Sequence, residues 1–418
     1  MNPFSIWGKN WHRNHWLGLL LLACTWSFAC APATNPPSSN ITLAFINDAQ
    51  GELSDCGCSG GAAGGLARRV GYLADLRRQQ PNSTILVEAG SFLFPIWPQN
   101  DEERQIEAKR ADLIADAYRR VGFDAVLFGL RDYALGVEPL RQVAKKIGGA
   151  VVCANVIDAR TGKPVWAEKA VVKKNHLQVG LLGVMTRSKT LDQQPVSPPA
   201  ELNVVDPVAP IKRLARELRR QCGLVVLLAN LERDELARLL AEVPGIDFVI
   251  KSRDSKSMTN QVDRLNKVPV VSLFERGQFI GRLDFTLVKP GEPFIDLTEK
   301  QMLERKLGRY QEYITMWETK AGGADKVDSY FAGDKDLLAR YHSYQENVAR
   351  WTRELEQFHN RGNRFQYELV KLLPGVKEDA ETDRAVRQFE TQYGTAAQAR
   401  TRQMQRLAPP APAPDTAE

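Results

Sequence analysis

Short apolar runs alternate with amphipathic segments over the first two-thirds of this chain. Continuously apolar runs are typical of buried strands, and the segments between them place apolar residues at helical spacing. Strands are predicted at residues 41–46, 85–87, 125–128, 150–153, 179–184, 224–228, 248–250 and 268–273. Helices are predicted at residues 66–76, 106–120, 137–147 and 211–220. Strands that alternate with helices predict a layered α/β architecture.

The pattern changes at residue 297, where long, charged and periodic segments begin. Helices are predicted at residues 297–320 and 335–357, and the loop between them predicts an antiparallel hairpin. A short apolar segment at 365–373 and a helix at 380–407 follow, so we interpret residues 297–407 as a helical C-terminal region and 408–418 as a disordered tail. We expect the aromatic residues of the hairpin to seal it or, alternatively, to bind a partner: Tyr310, Tyr313, Trp317, Tyr341, Tyr344 and Trp351.

The first 30 residues have the composition of an export signal. A basic start is followed by an apolar run at 16–23 and then by small residues and cysteines. Leu-Leu-Ala-Cys, ending at Cys24, resembles a bacterial lipobox; Cys30 is a second possible lipidation site, and an ordinary cleaved signal is the alternative. Residues 31–40 are polar and proline-bearing, which predicts a tether. We therefore expect a lipid-anchored protein of the bacterial cell envelope that faces the periplasm or the exterior.

Composition adds bounds to this picture. The chain has 418 residues, 43% of them hydrophobic, which is enough for a large core in two or three domains. Its net charge of +6 is small and interspersed, so nucleic-acid binding is not expected. Beyond the signal, four cysteines remain in a compartment that we expect to be oxidising, and their three possible pairings stay open: Cys56, Cys58, Cys153 and Cys222.

Five polar loops follow predicted strands in the segment 41–296. Two-metal phosphoesterases carry their metal ligands on loops of this kind, at the ends of strands. They read Asn47-Asp48-Ala49-Gln50-Gly51, Glu88-Ala89-Gly90-Ser91-Phe92, Gly129-Leu130-Arg131-Asp132, Ala229-Asn230-Leu231 and Lys251-Ser252-Arg253-Asp254-Ser255. In this order they resemble the metallophosphoesterase domain of bacterial 5′-nucleotidases, which are calcineurin-like phosphoesterases. The resemblance implies a four-layer sandwich of two sheets flanked by helices over residues 41–296, with the helical hairpin as a C-terminal extension.

The same resemblance identifies what the loops lack. Where the family has metal-binding residues, this chain keeps Asp48 and has other residue types at the remaining positions: Gln50, Ser91, Leu130, Arg131, Asn230, Arg253 and Ser255. A single histidine, His176, lies in the segment, although the family builds its site largely from histidine. We therefore expect no metal and no catalytic residue, and we interpret the protein as a binding or scaffolding pseudoenzyme. The alternative is an active 5′-nucleotidase-like hydrolase of phosphoric esters with two divalent metals (Mn, Zn or Fe) in a non-standard site.

Three cations stand in these loops, namely Arg131, Lys251 and Arg253. In one interpretation the arginines form ion pairs with Asp48, Asp132, Glu88 or Asp254, which would fill the former metal cavity. In the other, the cations hold an anion such as phosphate, sulfate or a nucleotide.

A Cys56-Gly57-Cys58 loop precedes a glycine-rich stretch. It resembles a loop in a subgroup of bacterial nucleotidase-like proteins, some of them fused to multihaem cytochromes. The pair predicts a structural disulfide first, with a redox function or a soft-metal site as alternatives. Because no Cys-x-x-Cys-His occurs, covalent haem is not expected. The partner is expected to be an envelope protein that binds the C-terminal helices.

Overall fold

The computed structural model describes residues 39–55, 62–191, 194–196, 198–253, 261–274, 276–358 and 362–407. The signal with Cys24 and Cys30, most of the tether, Cys56, Cys58, Ser255 and the tail at 408–418 lie outside the described residues.

Seventeen strands and ten α-helices lie in the described part of the chain. The strands are β1 (Ser39–Ile46), β2 (Thr84–Glu88), β3 (Ala125–Val126), β4 (Ala150–Val151), β5 (Val156–Asp158), β6 (Lys169–Lys174), β7 (Leu177–Met185), β8 (Thr190–Leu191), β9 (Gln194–Pro195), β10 (Leu202–Val204), β11 (Leu224–Asn230), β12 (Phe248–Ser252), β13 (Asp263–Leu265), β14 (Val268–Val271), β15 (Phe279–Leu287), β16 (Ile295–Asp296) and β17 (Arg364–Lys371). The helices are α1 (Leu66–Gln79), α2 (Asp101–Val121), α3 (Val137–Ile147), α4 (Val208–Arg219), α5 (Arg233–Glu242), α6 (Leu297–Ala321), α7 (Val327–Tyr330), α8 (Lys335–Leu355), α9 (Ala380–Tyr393) and α10 (Ala396–Leu407).

Two sheets form the centre of the domain. The seven-stranded sheet has the order β16-β17-β15-β1-β2-β3-β4, and the six-stranded sheet has the order β13-β14-β12-β11-β7-β6. In the first sheet β1 is parallel to β2, and in the second β11 is parallel to β7 and β12. The carboxyl ends of neighbouring parallel strands lie at one edge of each sheet, where loops can meet.

Alternate residues of β11 show how the layers stack. Leu224, Val226 and Leu228 belong to the large core that also contains the seven-stranded sheet, whereas Val225 and Leu227 pack with α4 and α5 on the outer face. Helices α1 and α2 cover the other side of the seven-stranded sheet, and α9 packs on both of them. The order helices, sheet, sheet, helices confirms the predicted four-layer sandwich.

The C-terminal region differs from its prediction in containing a strand of the central sheet. Strand β17 lies inside the seven-stranded sheet, antiparallel to β15 and parallel to β16, so residues 297–407 are not a wholly helical region. Phe365 and Tyr367 are buried and alternate with polar residues, which is the strand pattern. This strand was not predicted from the sequence, because its short alternating pattern lies between long helices. The domain predicted to end at 296 therefore resumes after the hairpin.

Helices α6 and α8 form the predicted antiparallel hairpin. Asp296 and Asp334 cap their amino ends by accepting backbone N–H bonds, and Gly322 ends α6 in the left-handed conformation. Apolar and aromatic residues recur at alternating spacings of three and four on each helix: Leu303, Leu307, Tyr310, Ile314, Trp317 and Ala321 on α6, and Leu337, Tyr341, Tyr344, Val348, Trp351 and Leu355 on α8. This spacing forms a coiled-coil seam.

In the described part of the chain, no helix combines the length and apolarity needed to cross a bilayer.

Candidate functional site

The described counterparts of the five family loops converge at the carboxyl ends of the central strands. We call residues 47–51, 90–93, 129–132, 230–232 and 252–253 the site loops. They follow or end β1, β2, β3, β11 and β12, so both sheets contribute. The structure thus brings together every predicted site residue that it describes: Asp48, Gln50, Ser91, Leu130, Arg131, Asn230, Lys251 and Arg253.

Asn230 connects the two sheets through its side-chain amide. Its Nδ2 donates to Ser91 Oγ at 3.1 Å and to Ser252 Oγ at 2.8 Å, and its Oδ1 accepts from the Leu130 backbone N–H at 3.0 Å. The residue is buried. Ser252, which was not among the predicted site residues, donates onward to the carbonyl of Ala89 at 2.7 Å. Four site loops and the residue that follows β2 are therefore joined by direct hydrogen bonds.

Gly129 shows how closely these groups pack. A Cβ atom at this position would lie 2.7 Å from Asn230 Nδ2 and 2.8 Å from Ser91 Oγ, which is closer than carbon atoms approach such groups. The neighbouring Leu130 side chain is 1% exposed and belongs to the large hydrophobic core. Leu130, which stands at a metal-binding position in the family resemblance, is thus a core residue here.

Asp132 fixes two site loops through its carboxylate. Its oxygens accept the backbone N–H groups of Ser91, Phe92, Leu93 and Gly129 at 2.8–2.9 Å. Burial raises the pKa of Asp132 to about 6, and these four donors oppose the rise. Its role is to hold the backbone of the loops, and the sequence prediction had placed it only as a partner for an arginine.

Asp48 is the one carboxylate that matches a family ligand among the described counterparts. Its Oδ2 accepts from Asn47 Nδ2 at 3.0 Å and from the Arg253 backbone N–H at 2.8 Å. The side chain is 3% exposed. Asp48 therefore connects the first site loop to the last. The connection uses Oδ2, a carboxylate oxygen that could otherwise bind a metal.

The three cations donate hydrogen bonds to acceptors within the protein. Arg253 forms an ion pair with Glu232 at 2.9 Å and donates to the carbonyl of Thr190 at 2.7 Å. Arg131 donates to the carbonyl of Pro95 at 3.1 Å, and Lys251 donates to the carbonyl of Arg253. Glu232 was not predicted as a partner, because it lies outside the family motifs.

The backbone of the site loops retains unusual conformations. Five non-glycine residues at or beside these loops have positive φ angles of 47–69°: Asp48, Gln50, Ser91, Arg253 and Arg276. Positive φ in such residues costs free energy unless the surroundings impose it. Backbone bonds between loops supply that constraint, since Asp48 N–H donates to Gly90 and Gln50 N–H to Ser91, both at 2.9 Å.

Beneath the second loop lies a fully buried carboxyl group. Glu88 accepts from the hydroxyl of Tyr118 at 2.8 Å and from the Gly90 backbone N–H at 3.3 Å. Desolvation raises the pKa of Glu88 to about 8, although the Tyr118 bond and the charge of Arg69 lower it. Glu88 is therefore protonated in the fold at neutral pH, which its position in an apolar strand did not reveal.

Metal ligation and thiol chemistry find little support among the described side chains. No group of three or more His, Cys, Asp or Glu residues in the described part of the chain is arranged to hold a metal ion. A pair of dications requires several anionic or imidazole donors, and the described counterparts offer one carboxylate, so they do not fit two metals. Cys153 and Cys222 are both free and buried, and burial raises the pKa of Cys153 to about 12.

Comparison with known proteins places this geometry. No protein-family model matches the chain. A 2′,3′-cyclic-nucleotide 2′-phosphodiesterase/3′-nucleotidase from Yersinia enterocolitica is 25% identical over an alignment of 254 residues, and the match covers 52% of this chain and 38% of that protein. The chain thus spans under two-fifths of the length of this curated relative.

Two solved structures, both of proteins from Thermus thermophilus, share the architecture. A 5′-nucleotidase precursor matches with a TM-score of 0.56 and 19% identity, covering 84% of this chain and 59% of that one. A sulfate thiohydrolase matches with a TM-score of 0.51 and 15% identity, covering 60% and 54% respectively. At these identities the likeness shows the fold alone. The fold is that of 5′-nucleotidases, as the five sequence motifs predicted.

Proposed function

We propose that this chain is a pseudoenzyme with a 5′-nucleotidase-type fold, which acts by binding or scaffolding in the bacterial cell envelope. The observation that carries the proposal is the hydrogen bonding of Asn230. Its side-chain amide forms hydrogen bonds with Ser91, Ser252 and the Leu130 backbone. Hydrogen bonds within the chain therefore occupy the space between the two sheets. An amide oxygen that accepts a backbone N–H, next to serine hydroxyls, offers dications a weak ligand set.

A metal and turnover measurement tests this proposal. The full chain is incubated with Mn²⁺, Zn²⁺ or Fe²⁺, desalted and assayed by elemental analysis, and hydrolysis of a 5′-nucleotide, a 2′,3′-cyclic nucleotide and a phosphodiester is followed. We expect sub-stoichiometric metal and no turnover above background. Two bound metals with turnover that Asp48→Ala abolishes would establish the alternative, an active phosphoric ester hydrolase.

A variant with restored ligands supplies the positive control. Gln50→His, Ser91→Asp, Leu130→Asn, Asn230→His and Arg253→His are combined to return the family residue types. We expect this chain to gain metal relative to the wild type. The matched control replaces the same positions by Gln50→Glu, Ser91→Thr, Leu130→Met, Asn230→Gln and Arg253→Lys, and it should gain none.

The hypothesis of a retained anion is tested separately. Arg131, Lys251 and Arg253 already donate to carbonyls or to Glu232, so we expect millimolar phosphate, sulfate or nucleotide to leave the melting temperature unchanged. A rise that is lost in Arg253→Ala would support anion binding by these cations.

Envelope anchoring forms part of the proposal and rests on the residues around Cys24. Metabolic labelling with a radioactive fatty acid should mark the protein, and Cys24→Ala should remove the label whereas Cys30→Ala should not. The reverse result assigns the anchor to Cys30, and a wild type that takes up no label would refute lipidation.

Thiol titration of Cys56→Ser/Cys58→Ser beside the wild type tests the predicted disulfide and its redox alternative.

A further inference from the structure

We propose that one end of the domain is a basic surface that lies against an anionic lipid bilayer and points the site loops away from it. The surface, which we call the basic end, comprises Lys173, Lys174, Arg220 and Arg364. The proposal rests on the envelope anchoring proposed above and adds the face of the protein that meets the membrane.

The basic end surrounds the point where the N-terminal segment enters the domain. Asn175, in the turn after Lys174, donates its side-chain N–H to the carbonyl of Asn40 at 3.0 Å, and Lys174 Nζ donates to the carbonyl of Pro81 at 3.0 Å. Asn40 is the second residue of β1. Two lysines therefore lie beside the first described residues of the chain.

Arg220 and Arg364 lie at the same end. Arg220 follows α4 and precedes Gly223, whose backbone N–H donates to Gln178 at 2.9 Å and whose Cα faces Leu287. Leu287 pairs with Ser39, and the neighbouring Thr286 pairs with Arg364. The register of the sheets thus gathers these cations around the start of β1.

Three cations elsewhere in the domain are neutralised by carboxylates. Lys169 bonds Glu217, Arg77 bonds Asp124, and Lys289 bonds Glu292. Within the described part of the chain, none of the four residues of the basic end has a carboxylate oxygen within ion-pair distance, although the charge of Arg220 acts on Glu217 and Asp284 lines the same cavity as Arg364. Lys173 and Arg220 are exposed, and Lys174 and Arg364 are half-buried. The local excess of positive charge matches the negative surface potential of anionic lipids.

Strand direction separates this end from the site. The chain enters at the amino end of β1, whereas the site loops follow the carboxyl ends of β1, β2, β11 and β12. Contact between the basic end and the bilayer therefore leaves the site loops on the opposite side, open to a partner. From Cys24 to Ser39 the chain reaches at most about 50 Å, so the tether allows this contact without imposing it.

Vesicle binding of the full chain tests the surface. Cys24→Ala/Cys30→Ala removes the lipid, and cosedimentation is measured with vesicles of phosphatidylcholine alone and with roughly a third phosphatidylglycerol. An apolar leader binds both vesicle types, so the readout is the ratio between them. We expect anionic vesicles to be favoured at least about tenfold at low salt, and less at physiological salt.

Charge reversal identifies the residues responsible. Lys173→Glu/Lys174→Glu/Arg220→Glu should bring the ratio close to one. The matched control, Arg305→Glu/Arg309→Glu/Arg353→Glu, makes the same change in net charge on exposed positions of the hairpin and should keep the ratio. Equal ratios for wild type and the first variant, or an equal fall in both variants, would overturn the proposal. Melting temperatures of both variants check that each is folded.

The outcome is independent of the proposals on which it rests. Loss of the fatty-acid label would refute the anchor, and bound metal with turnover would refute the pseudoenzyme. Neither result alters the vesicle ratio, because the variants lack the lipidation cysteines and the contribution of the apolar leader is common to both vesicle types.

Discussion

The site loops and the helical hairpin are stabilised by different kinds of contact. In the site loops, polar side chains accept or donate bonds to the backbone, as Asp132 does with four N–H groups. In the hairpin, aromatic rings pack along a seam, as in the contact of Tyr310 with Tyr344 at 4.1 Å between ring centroids. The loops depend on a few buried polar groups, whereas the hairpin distributes its stability over many partly exposed rings.

This difference explains how the loops persist without the family's ligands. Asp132 and the backbone bonds between loops hold Ser91 and Gln50 at their positive φ angles. The hairpin has no such framework, and its geometry depends directly on its seam residues.

The largest effect is expected from Asp132→Ala. It leaves four buried N–H groups without an acceptor, and we expect a loss of about 4 kcal/mol in the free energy of unfolding, measured by urea denaturation. Asp132→Asn keeps one acceptor oxygen and should lose less. A loss below about 1 kcal/mol for the alanine variant would show that the backbone bonds alone hold the loops.

A pH dependence should come from Glu88. Its folded pKa is raised from 4.5 to about 8, so the folded state binds the proton more tightly than the unfolded state. The resulting stability is fully present below pH 4.5 and is lost as pH rises through 8, with about 3 kcal/mol lost by neutral pH and about 4 kcal/mol lost at pH 8. Glu88→Gln stays neutral and should flatten this decline in denaturation curves recorded across that range. An unchanged slope in the variant would contradict the assignment.

In the hairpin, Trp351→Ala should lower the free energy of unfolding by about 3 kcal/mol, since Trp351 is buried against Tyr310. Hydrogen exchange should quicken in residues 297–355 and remain unchanged in β1, β2 and β11. Trp351→Phe retains a ring and should show a smaller change. Faster exchange throughout the sheets would mean that the hairpin and the sandwich unfold as one unit.

The smallest effect is expected from Glu232→Ala. Glu232 is about half exposed, so its ion pair with Arg253 should contribute less than about 1 kcal/mol. The Arg253 backbone N–H keeps its bond to Asp48 in this variant. A loss above about 2 kcal/mol in the free energy of unfolding would show that the Arg253 side chain, and not its backbone N–H, mainly stabilises this loop.

Local sequence was sufficient for several strongly periodic elements, although it missed strand β15 and helix α5. Helix α3 begins and ends where its pattern predicted, and the apolar face of α4, with Ile211, Leu214 and Leu218, is buried as expected. Elements with mixed signals were missed: β6 is rich in lysine because it is an edge strand, and β17 lies between helices. The helix predicted at 380–407 is divided at Gly394, where φ is 84°.

Periodicity along the chain was enough to predict a layered α/β fold, and the five motifs, through the family resemblance, implied its four-layer form. The contacts of the site residues follow only from the packing of distant strands. Asn230 bonds Ser91 and Ser252, Asp132 holds four backbone groups, and Arg253 selects Glu232, since hydrogen-bond partners are set by which strands lie side by side and not by separation in sequence. The insertion of β17 beside β15 is likewise a long-range pairing, which local pattern does not encode.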